Sequence, residues 1–407
     1  MKTVAVVCEY NPFHYGHKYQ IQKIKEKFGE DTSIVCIMSG NYVQRGDLAI
    51  LDKFTRAKIA VSEGASLVLE LPFPYSMQSA EFFASSAIHI IKEAVKPDVL
   101  SFGCECCDVK KLWQIAERLT SKEFTDAFAL ASSEKENNEC GHPKLYENTY
   151  KKLYGDKEGA EILRRPNNIL AIEYIKALIR CGYDAELHTV LRVGAEHDAP
   201  PNVENGFESA SAIRSLFYEG ESERALSALP AYSQEICKEC LEKGVLPTNI
   251  SRLSNAILAF LRMNPPKENE IPFDCEGGLA HRLHKMSMQA TNIDELITLV
   301  LTKRYTTARI RRAILNLYFG ITSSDVRRLP NYTQVLSMDG KGREMLKKMK
   351  RTSSLEILTK PADYVKLSDT SRLQAERSLC ADRIYSLAKP KAAEGNEFLR
   401  ATPYCKK

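Results

Sequence analysis

Two of the eight histidines in the sequence, His14 and His17, stand three residues apart. They follow an apolar run, TVAVVC at residues 3–8, and a helical pattern begins on them. Residues i and i+3 of a helix share a face, so both imidazoles can point at one ligand. A helix N-terminus has unpaired N–H groups and partial positive charge, which favour phosphate. The spacing therefore predicts a phosphate site.

The chemistry this site suits is nucleotidyl transfer. Imidazolium groups at His14 and His17 can stabilise the charge that develops on the α-phosphate of a nucleotide. Gly16 has no side chain to block the approach of that phosphate. The alternative is that both histidines are partly exposed and cap local turns. Their position directly after a first strand favours the phosphate site.

A second candidate phosphate site is SASAIR at residues 209–214. Ser209 and Ser211 supply hydroxyl groups at a predicted helix start, and Arg214 supplies a guanidinium on its first turn. The alternative is an ordinary N-cap serine with a surface arginine. The pairing of this segment with the two histidines favours a site that holds both ends of a triphosphate.

Two loops are further candidates. The loop at 40–47 contains Gln44, Arg45 and Asp47, and Arg45 can hold a carboxylate or a phosphate. Its alternative is a surface loop with a structural Arg–Asp pair. In the Pro-Asn-Asn segment we expect Asn167 to contact the ligand, while Asn168 can be a plain helix N-cap.

Parallel strands must position these residues. Apolar runs at residues 3–8, 33–40, 66–74 and 98–105 alternate with helical patterns, which predicts a Rossmann-like parallel α/β sheet. Ligands of such sheets bind at the carboxyl ends of the strands. A further strand is expected at 184–194. We divide the chain into a nucleotidyltransferase-like catalytic domain at 1–220, a helical domain at 221–330 and a small, basic C-terminal α/β segment at 331–407.

Composition sets the outer limits. The chain has 407 residues, of which 44% are hydrophobic and 27% are charged, and its net charge is +5. No apolar run reaches the roughly 18–20 residues that cross a membrane, and the N-terminus lacks the pattern of a signal peptide. We therefore expect a cytoplasmic protein without a membrane partner. The twelve cysteines, including CECC at 104–107 and CKEC at 237–240, are expected to be free thiols rather than metal ligands.

Basic stretches suggest an anionic partner. Two basic stretches, at residues 303–312 and 341–351, are predicted to bind RNA. Tyr305 lies in the first stretch, where its ring is expected to stack on an unpaired base. The alternative for both stretches is a solvated helix face. The residues expected to contact RNA phosphates are Lys303, Arg304, Arg311, Arg312, Lys347, Lys348, Lys350 and Arg351.

The two phosphate motifs resemble those of the nucleotidyltransferase superfamily that includes class I aminoacyl-tRNA synthetases. Longer blocks resemble the tRNA(Met) cytidine acetate ligase family over nearly the whole chain. They include VVCEYNPFHYGHKYQI, MSGNYVQRGDLAILDKFTRAKIAV, RRPNNILAIEYIKAL and KRYTTARIRRAILNLYFGI. The resemblance implies that acetate is activated with ATP as acetyl-adenylate, without acetyl-CoA. It further implies that the acetyl group is transferred to N4 of the wobble cytidine of elongator tRNA(Met).

The resemblance also implies the site residues. His14 and His17 are then catalytic, and Mg²⁺ is expected with the triphosphate. The implied ATP-binding residues are Val7, Cys8, Glu9, Tyr10, Asn11, Pro12, Phe13, His14, Tyr15, Gly16, His17, Lys18, Tyr19, Gln20, Gly103, Asn167, Arg192, Ser209, Ser211 and Arg214. The chain departs from the family pattern at Cys104, where a small serine-like residue is expected, and at GAEHD (194–198), which is one residue short.

Two other functions stay open. One is a nucleotidylyltransferase that acts on a small phosphorylated metabolite, and it would not need the basic regions. The other is a noncatalytic RNA-binding module that responds to a nucleotide.

Overall fold

The strands of the predicted sheet are present. The computed structural model describes residues 2–133, 142–192, 208–267 and 270–406, so GAEHD (194–198) lies outside the described residues. The strands are β1 (Thr3–Cys8), β2 (Ser33–Ser39), β3 (Tyr42–Val43), β4 (Asp47–Leu48), β5 (Leu67–Leu71), β6 (Val99–Cys104), β7 (Glu186–Leu191), β8 (Tyr332–Met338), β9 (Glu356–Leu358) and β10 (Tyr404–Cys405).

The central sheet has the order β10-β8-β5-β2-β1-β6-β7, with β9 paired to β8. Strands β5, β2, β1, β6 and β7 are all parallel, as the alternation of strands and helices predicts. Strand β8 runs antiparallel to β5, so the sheet is mixed. The chain leaves β1 for β2 and later returns to the other side of β1 with β6. The carboxyl ends of β1 and β6 therefore lie at the switch point where such sheets bind ligands.

Helices cover both faces of this sheet and form a further bundle. They are α1 (Tyr15–Phe28), α2 (Lys53–Ser62), α3 (Ala80–Ile90), α4 (Val109–Thr120), α5 (Lys122–Ser133), α6 (His142–Tyr154), α7 (Lys157–Ile162), α8 (Pro166–Cys181), α9 (Ala210–Tyr218), α10 (Ser222–Ser227), α11 (Ala231–Glu242), α12 (Ser254–Met263), α13 (Leu279–Ser287), α14 (Ile293–Val300), α15 (Thr307–Phe319), α16 (Ser323–Arg327), α17 (Gly340–Thr352), α18 (Asp369–Leu387) and α19 (Glu397–Arg400). None of the helices within the described ranges is both long and apolar enough to span a membrane.

Side chains of alternate strand residues pack into two hydrophobic cores, one on each face of the sheet. Val4 and Val6 of β1 pack with α1, α2 and α9–α11, whereas Ala5 packs on the opposite face with α3, α4 and α8. This burial on both faces explains why the strands appear in the sequence as continuous apolar runs. A third core lies among α12–α16 and includes Tyr385 of α18.

Helix boundaries agree with the sequence in part. The helical pattern at residues 52–64 makes Asp52 a candidate N-cap. Asp52 is the N-cap of α2, and its carboxylate accepts hydrogen bonds from the amides of Phe54 and Thr55 at 3.0 Å each. The helical pattern at residues 76–94 predicts a single helix, whereas α3 begins only at Ala80, after a 3-10 turn, and ends in a π-helical turn.

The last part of the chain belongs to the sheet. Strand β8 pairs with β5, and β10 pairs with β8, so residues from 331 onward extend the sheet made by the N-terminal half. The division into three domains stays a prediction. The strand pairing shows that a boundary at residue 331 does not separate two sheets.

Candidate active site

A cavity of about 580 Å³ opens at the carboxyl ends of β1, β6 and β7. Most of the residues that the sequence suggests for ATP line it. They are Val7, Cys8, Glu9, Tyr10, Asn11, His14, Gly16, His17, Tyr19, Gln20, Gly103, Asn167, Arg192, Ser209, Ser211 and Arg214. The fold therefore brings these predicted residues together from distant parts of the chain.

Four of the predicted residues lie outside the cavity lining. Phe13 is buried in the core beside Tyr10, with ring centroids 4.9 Å apart. Nζ of Lys18 lies 3.0 Å from Oε2 of Glu63, the C-cap residue of α2. Pro12 and Tyr15 also do not line the cavity. These side chains face away because they occupy the other sides of the loop and of the first turn of α1.

His14 and His17 form a reciprocal cap at the start of α1. His14 is the N-cap residue, and its Nδ1 accepts a hydrogen bond from the amide of Gly16 at 3.0 Å. The Nδ1 of His17 accepts one from the amide of His14 at 3.2 Å. The ring centroids are 3.9 Å apart. Because each Nδ1 accepts, each neutral ring carries its proton on Nε2, so the pair offers two N–H donors.

The two imidazoles are neutral, which corrects the expectation of imidazolium groups. Burial, together with the positive charges of Arg192 and Arg214, lowers the pKa of His14 to about 3. Burial also lowers the pKa of His17 well below its ordinary value, and His14 and Arg192 act in the same direction. At neutral pH the site therefore meets a ligand with hydrogen-bond donors rather than with two positive rings.

Gly16 has a different role from the one the sequence suggests. A Cβ at this position would lie 2.8 Å from Cε1 of His14, which is closer than real contacts allow. The glycine is thus required by the imidazole of the N-cap residue, and room for a phosphate is not its first function.

Aromatic packing fixes the second histidine. The ring of Tyr10 meets that of His17 edge-on, with centroids 4.8 Å apart, and Phe13 lies 5.6 Å from His17. Tyr10 has a positive φ of 48°, which is unusual for a residue with a side chain. This left-handed residue turns the chain from β1 into the loop that precedes α1.

The second phosphate motif faces the first. Ser209 caps α9, and its Oγ accepts a hydrogen bond from the amide of Ala212 at 3.2 Å. The N-cap alternative is thus correct for this serine, which also lines the cavity. Arg214 is half-buried and donates to the carbonyl oxygen of Asn11 at 2.8 Å. The arginine therefore joins the start of α9 to the loop of the two histidines.

Glu105 organises the third side of the cavity, although it is not among the predicted site residues. Its carboxylate accepts hydrogen bonds from Nδ2 of Asn167 at 2.6 Å and from the amide of Asn168 at 2.8 Å. Nη1 of Arg192 donates to Oδ1 of Asn167 at 3.1 Å. The only signal in the sequence was an acidic residue at the end of the predicted strand at 98–105.

Asn168 is not the N-cap of α8, because the cap is Arg165. The Oδ1 of Asn168 accepts hydrogen bonds from the amides of Glu105 and Cys106 at 2.9 and 2.8 Å. Asn168 therefore holds the turn after β6, while Asn167 lines the cavity.

A β3–β4 hairpin forms the fourth side. Gln44, Arg45 and Asp47 all line the cavity. Asp47 pairs with Arg311 of α15 at 3.0 Å and not with Arg45, so the proposed Arg–Asp pair is wrong in its partner. Arg45 has a φ of 75° and is exposed at the tip of the hairpin.

A buried charge cluster supports this hairpin. Nζ of Lys53 lies 2.8 Å from Oε1 of Glu70 and 2.8 Å from Oδ2 of Asp382. Asn41 donates to Oδ1 of Asp382 at 2.8 Å, and its own Oδ1 accepts from the amide of Lys53. The cluster fastens the chain before the hairpin to β5 and α18.

Part of the first basic stretch, residues 303–312, forms ion pairs within the protein. Arg311 pairs with Asp47, and Arg312 pairs with Asp274 at 2.8 Å. Tyr305 is only 6% exposed, so it does not present its ring to a base, which corrects that expectation. Lys303 and Arg304 are exposed.

The second basic stretch lies on α17, and its predicted residues Lys347, Lys348, Lys350 and Arg351 are exposed. The amide of Asp339, before α17, donates to Ser66, which precedes β5. The amide of Ser354, after α17, donates to Glu93, which precedes β6. Both ends of α17 therefore lie near the amino ends of the parallel strands, whereas the cavity lies at their carboxyl ends.

Comparison with known proteins agrees with this geometry. Residues 1–398 match the HIGH Nucleotidyl Transferase family. The tRNA(Met) cytidine acetate ligase of Thermoanaerobacter sp. (strain X514) is 37% identical over 405 residues, which cover 98% of each chain. That of Acetivibrio thermocellus is 32% identical, with the same coverage.

Solved structures give the same result. The crystal structure of apo Thermotoga maritima TmcAL is similar over 100% of both chains, with a TM-score of 0.92 and 29% identity. The structure of that protein bound with alpha-thio ATP has a TM-score of 0.91. The chain belongs to the tRNA(Met) cytidine acetate ligase family of HIGH nucleotidyl transferases.

Proposed function

We propose that the chain is an ATP-dependent ligase that activates acetate as acetyl-adenylate. The acetyl group then passes to N4 of the wobble cytidine (position 34) of elongator tRNA(Met), which gives N4-acetylcytidine without acetyl-CoA. The observation that carries the proposal is the reciprocal cap of His14 and His17, which offers two neutral N–H donors inside the cavity. The names of the relatives supply the RNA and the base.

In the first half-reaction a carboxylate oxygen of acetate attacks the α-phosphorus of ATP, and the bond to pyrophosphate breaks. Charge builds on the α-phosphate oxygens in the transition state. The Nε2–H groups of His14 and His17 can donate to those oxygens, and the dipole of α1 favours negative charge at its N-terminus. Arg214 and the start of α9 line the other side of the cavity and would hold the β- and γ-phosphates.

Mg²⁺ is part of the proposal, and Glu208 is the residue that would hold it. Glu208 lines the cavity beside Ser209 and is 7% exposed. Neither of its carboxylate oxygens has a hydrogen-bond partner within the described part of the chain. A carboxylate next to triphosphate oxygens is a usual setting for Mg²⁺, which would supply charge neutralisation of the departing pyrophosphate.

In the second half-reaction the exocyclic amine of cytidine attacks the acetyl carbonyl and AMP leaves. This amine is a weak nucleophile, so the rate depends on positioning. The target base must leave its stack to enter the cavity. Exposed cations around the molecule, among them Lys303, Arg304 and Lys348, supply phosphate contacts for tRNA. We place the protein in the cytoplasm, where tRNA is found and where cysteines remain free thiols, as they are in the described residues.

Two measurements test the proposal. Acetate should drive exchange of pyrophosphate into ATP without tRNA, and mass spectrometry should find one added acetyl group on the wobble cytidine of tRNA(Met). Exchange that requires a phosphorylated metabolite instead would show a nucleotidylyltransferase. Tight tRNA binding with no exchange for any acid would show a noncatalytic module.

A further inference from the structure

Glu9 is the first residue of the loop that joins β1 to α1, residues 9–14. It follows Cys8, the last residue of β1, and precedes the left-handed Tyr10. Its side chain lines the same cavity as His14 and His17. A carboxylate here is unexpected in a site built for a triphosphate and a second carboxylate, because like charges repel. Its place therefore requires a function other than binding these anions.

The fold holds Glu9 rigidly. The guanidinium of Arg56 is fully buried and donates to the carbonyl oxygens of Glu9, Ser39 and Gly40, which joins the ends of β1 and β2. The Oε1 of Glu9 accepts a hydrogen bond from the amide of Gln44 in the hairpin at 2.8 Å. Among the described residues this is the one hydrogen bond of the carboxylate, so Oε2 is left for a ligand.

The other titratable groups of the cavity are unsuited to accept a proton. Each histidine already accepts at Nδ1 and carries its proton on Nε2. Asp47 is engaged by Arg311 and by the amide of Leu48. Glu208 is the residue that would hold Mg²⁺, so its carboxylate would already be engaged by the cation. Within the described lining of the cavity, Glu9 is the remaining carboxylate.

We propose that Glu9 is the base that accepts the proton of the attacking cytidine amine. The inference rests on the proposed function. The amine nitrogen forms a bond to the acetyl carbonyl carbon, and the bond from that carbon to the phosphate oxygen of AMP breaks. AMP leaves with the electron pair of that bond. The proton lost by the nitrogen passes to Oε2 of Glu9 and then to water.

The surroundings of Glu9 suit this task. Burial raises the pKa of its carboxyl above the ordinary value, while the amide of Gln44 and then the guanidinium groups of Arg214, Arg56 and Arg45 act against that rise. A carboxylate that is a stronger base than a free glutamate is suited to proton transfer. The other titratable groups near it are Cys8 and Tyr174, whose pKa values burial raises.

The test separates the two half-reactions in Glu9→Gln, which keeps an acceptor for the amide of Gln44. Acetyl-adenylate is formed on the enzyme first, tRNA(Met) is added, and acetylcytidine is followed in a single turnover. We expect the ratio of the transfer rate to the rate of acetyl-adenylate formation to fall at least about 100-fold. In the wild type the transfer rate should rise with pH to a plateau as one group ionises, and in Glu9→Gln it should be slow and independent of pH. Glu63→Gln, which changes a buried carboxylate that pairs with Lys18, is the control and should keep the wild-type ratio.

Each result decides the matter. A ratio that is unchanged in Glu9→Gln, or a pH profile that it shares with the wild type, overturns the assignment. An equal fall in both half-reactions shows a role in binding and also overturns it. A wild-type protein that makes no acetyl-adenylate refutes the proposed function itself.

Discussion

The Nδ1 of His17 accepts the backbone N–H of His14 at 3.2 Å, so the imidazole that faces the ligand also closes the first turn of its own helix. A single substitution would therefore mix catalysis with stability. Glutamine is a common partner at this third position of a capping box, whereas alanine has no acceptor.

We expect His17→Ala and His17→Gln to lose acetyl-adenylate formation by at least about 100-fold, because alanine has no N–H donor and the flexible amide of glutamine does not hold one in place as the packed imidazole ring does. Only His17→Ala should also lose about 1 kcal/mol of stability. Pyrophosphate exchange and thermal unfolding measure the two effects. Normal exchange in His17→Gln would show that the imidazole has a structural role alone.

Stability should fall in acid because His14 is buried and neutral. Its pKa is about 3 in the folded chain and about 6.5 when unfolded. Between these values only the unfolded chain binds the proton, so the free energy of unfolding decreases as the pH falls below 6.5. Between pH 7 and pH 5 the free energy of unfolding of the wild type should decrease by about 2 kcal/mol more than that of His14→Asn. Asparagine keeps an N-cap acceptor at this position. Urea unfolding at both pH values measures this difference, and equal losses would contradict the burial of a neutral ring.

The hairpin beside the cavity depends on Gly46. Its φ is 74°, and a Cβ would lie 2.5 Å from the backbone nitrogen of Arg312. Gly320 has a φ of 61° and open space around it, so it is a matched control. We expect Gly46→Ala to cost about 1–3 kcal/mol more than Gly320→Ala, because only the first must displace α15. Chemical unfolding tests this, and equal costs would show that the hairpin yields without moving the helix.

The basic residues of α17 should contribute to tRNA affinity without serving the cavity. Replacement of Lys347, Lys348, Lys350 and Arg351 by serine should weaken the binding of intact tRNA. The slope of log affinity against log salt concentration should become shallower by about one for each lost phosphate contact. Acetate-dependent pyrophosphate exchange should stay normal, since both ends of α17 lie near the amino ends of the parallel strands and the cavity lies at their carboxyl ends. Binding titrations over a range of salt concentrations decide this, and unchanged affinity removes α17 from the interface.

The local parts of the fold were predictable. A run such as SIVCIMS is buried throughout β2, and Asp52 caps α2, because burial and capping depend on neighbours in the sequence. The placement of both histidines at a helix start followed from the same kind of signal. Their neutral state did not, because it depends on burial and on Arg192, far along the chain.

The errors involve long-range contacts. Asn168 resembled an N-cap, but its side chain holds a turn 62 residues earlier in the chain. Tyr305 resembled a stacking residue, yet its hydroxyl donates to the carbonyl of Gly277 and its ring is buried. Local periodicity carries no information about such partners, and so the role of Glu105 and the pairing of β8 were also missed.

The antiparallel pairing of β8 with β5 has a consequence for synthesis of the chain. About 260 residues separate Leu71, at the end of β5, from Tyr332 at the start of β8. A ribosome that adds 5–20 residues per second needs roughly 10–50 s to supply them. Until then the outer edge of β5 has no strand partner, and an open edge can pair with other chains. The period of aggregation risk in a newly made molecule is thus set by the speed of translation and not by the folding rate of its catalytic half.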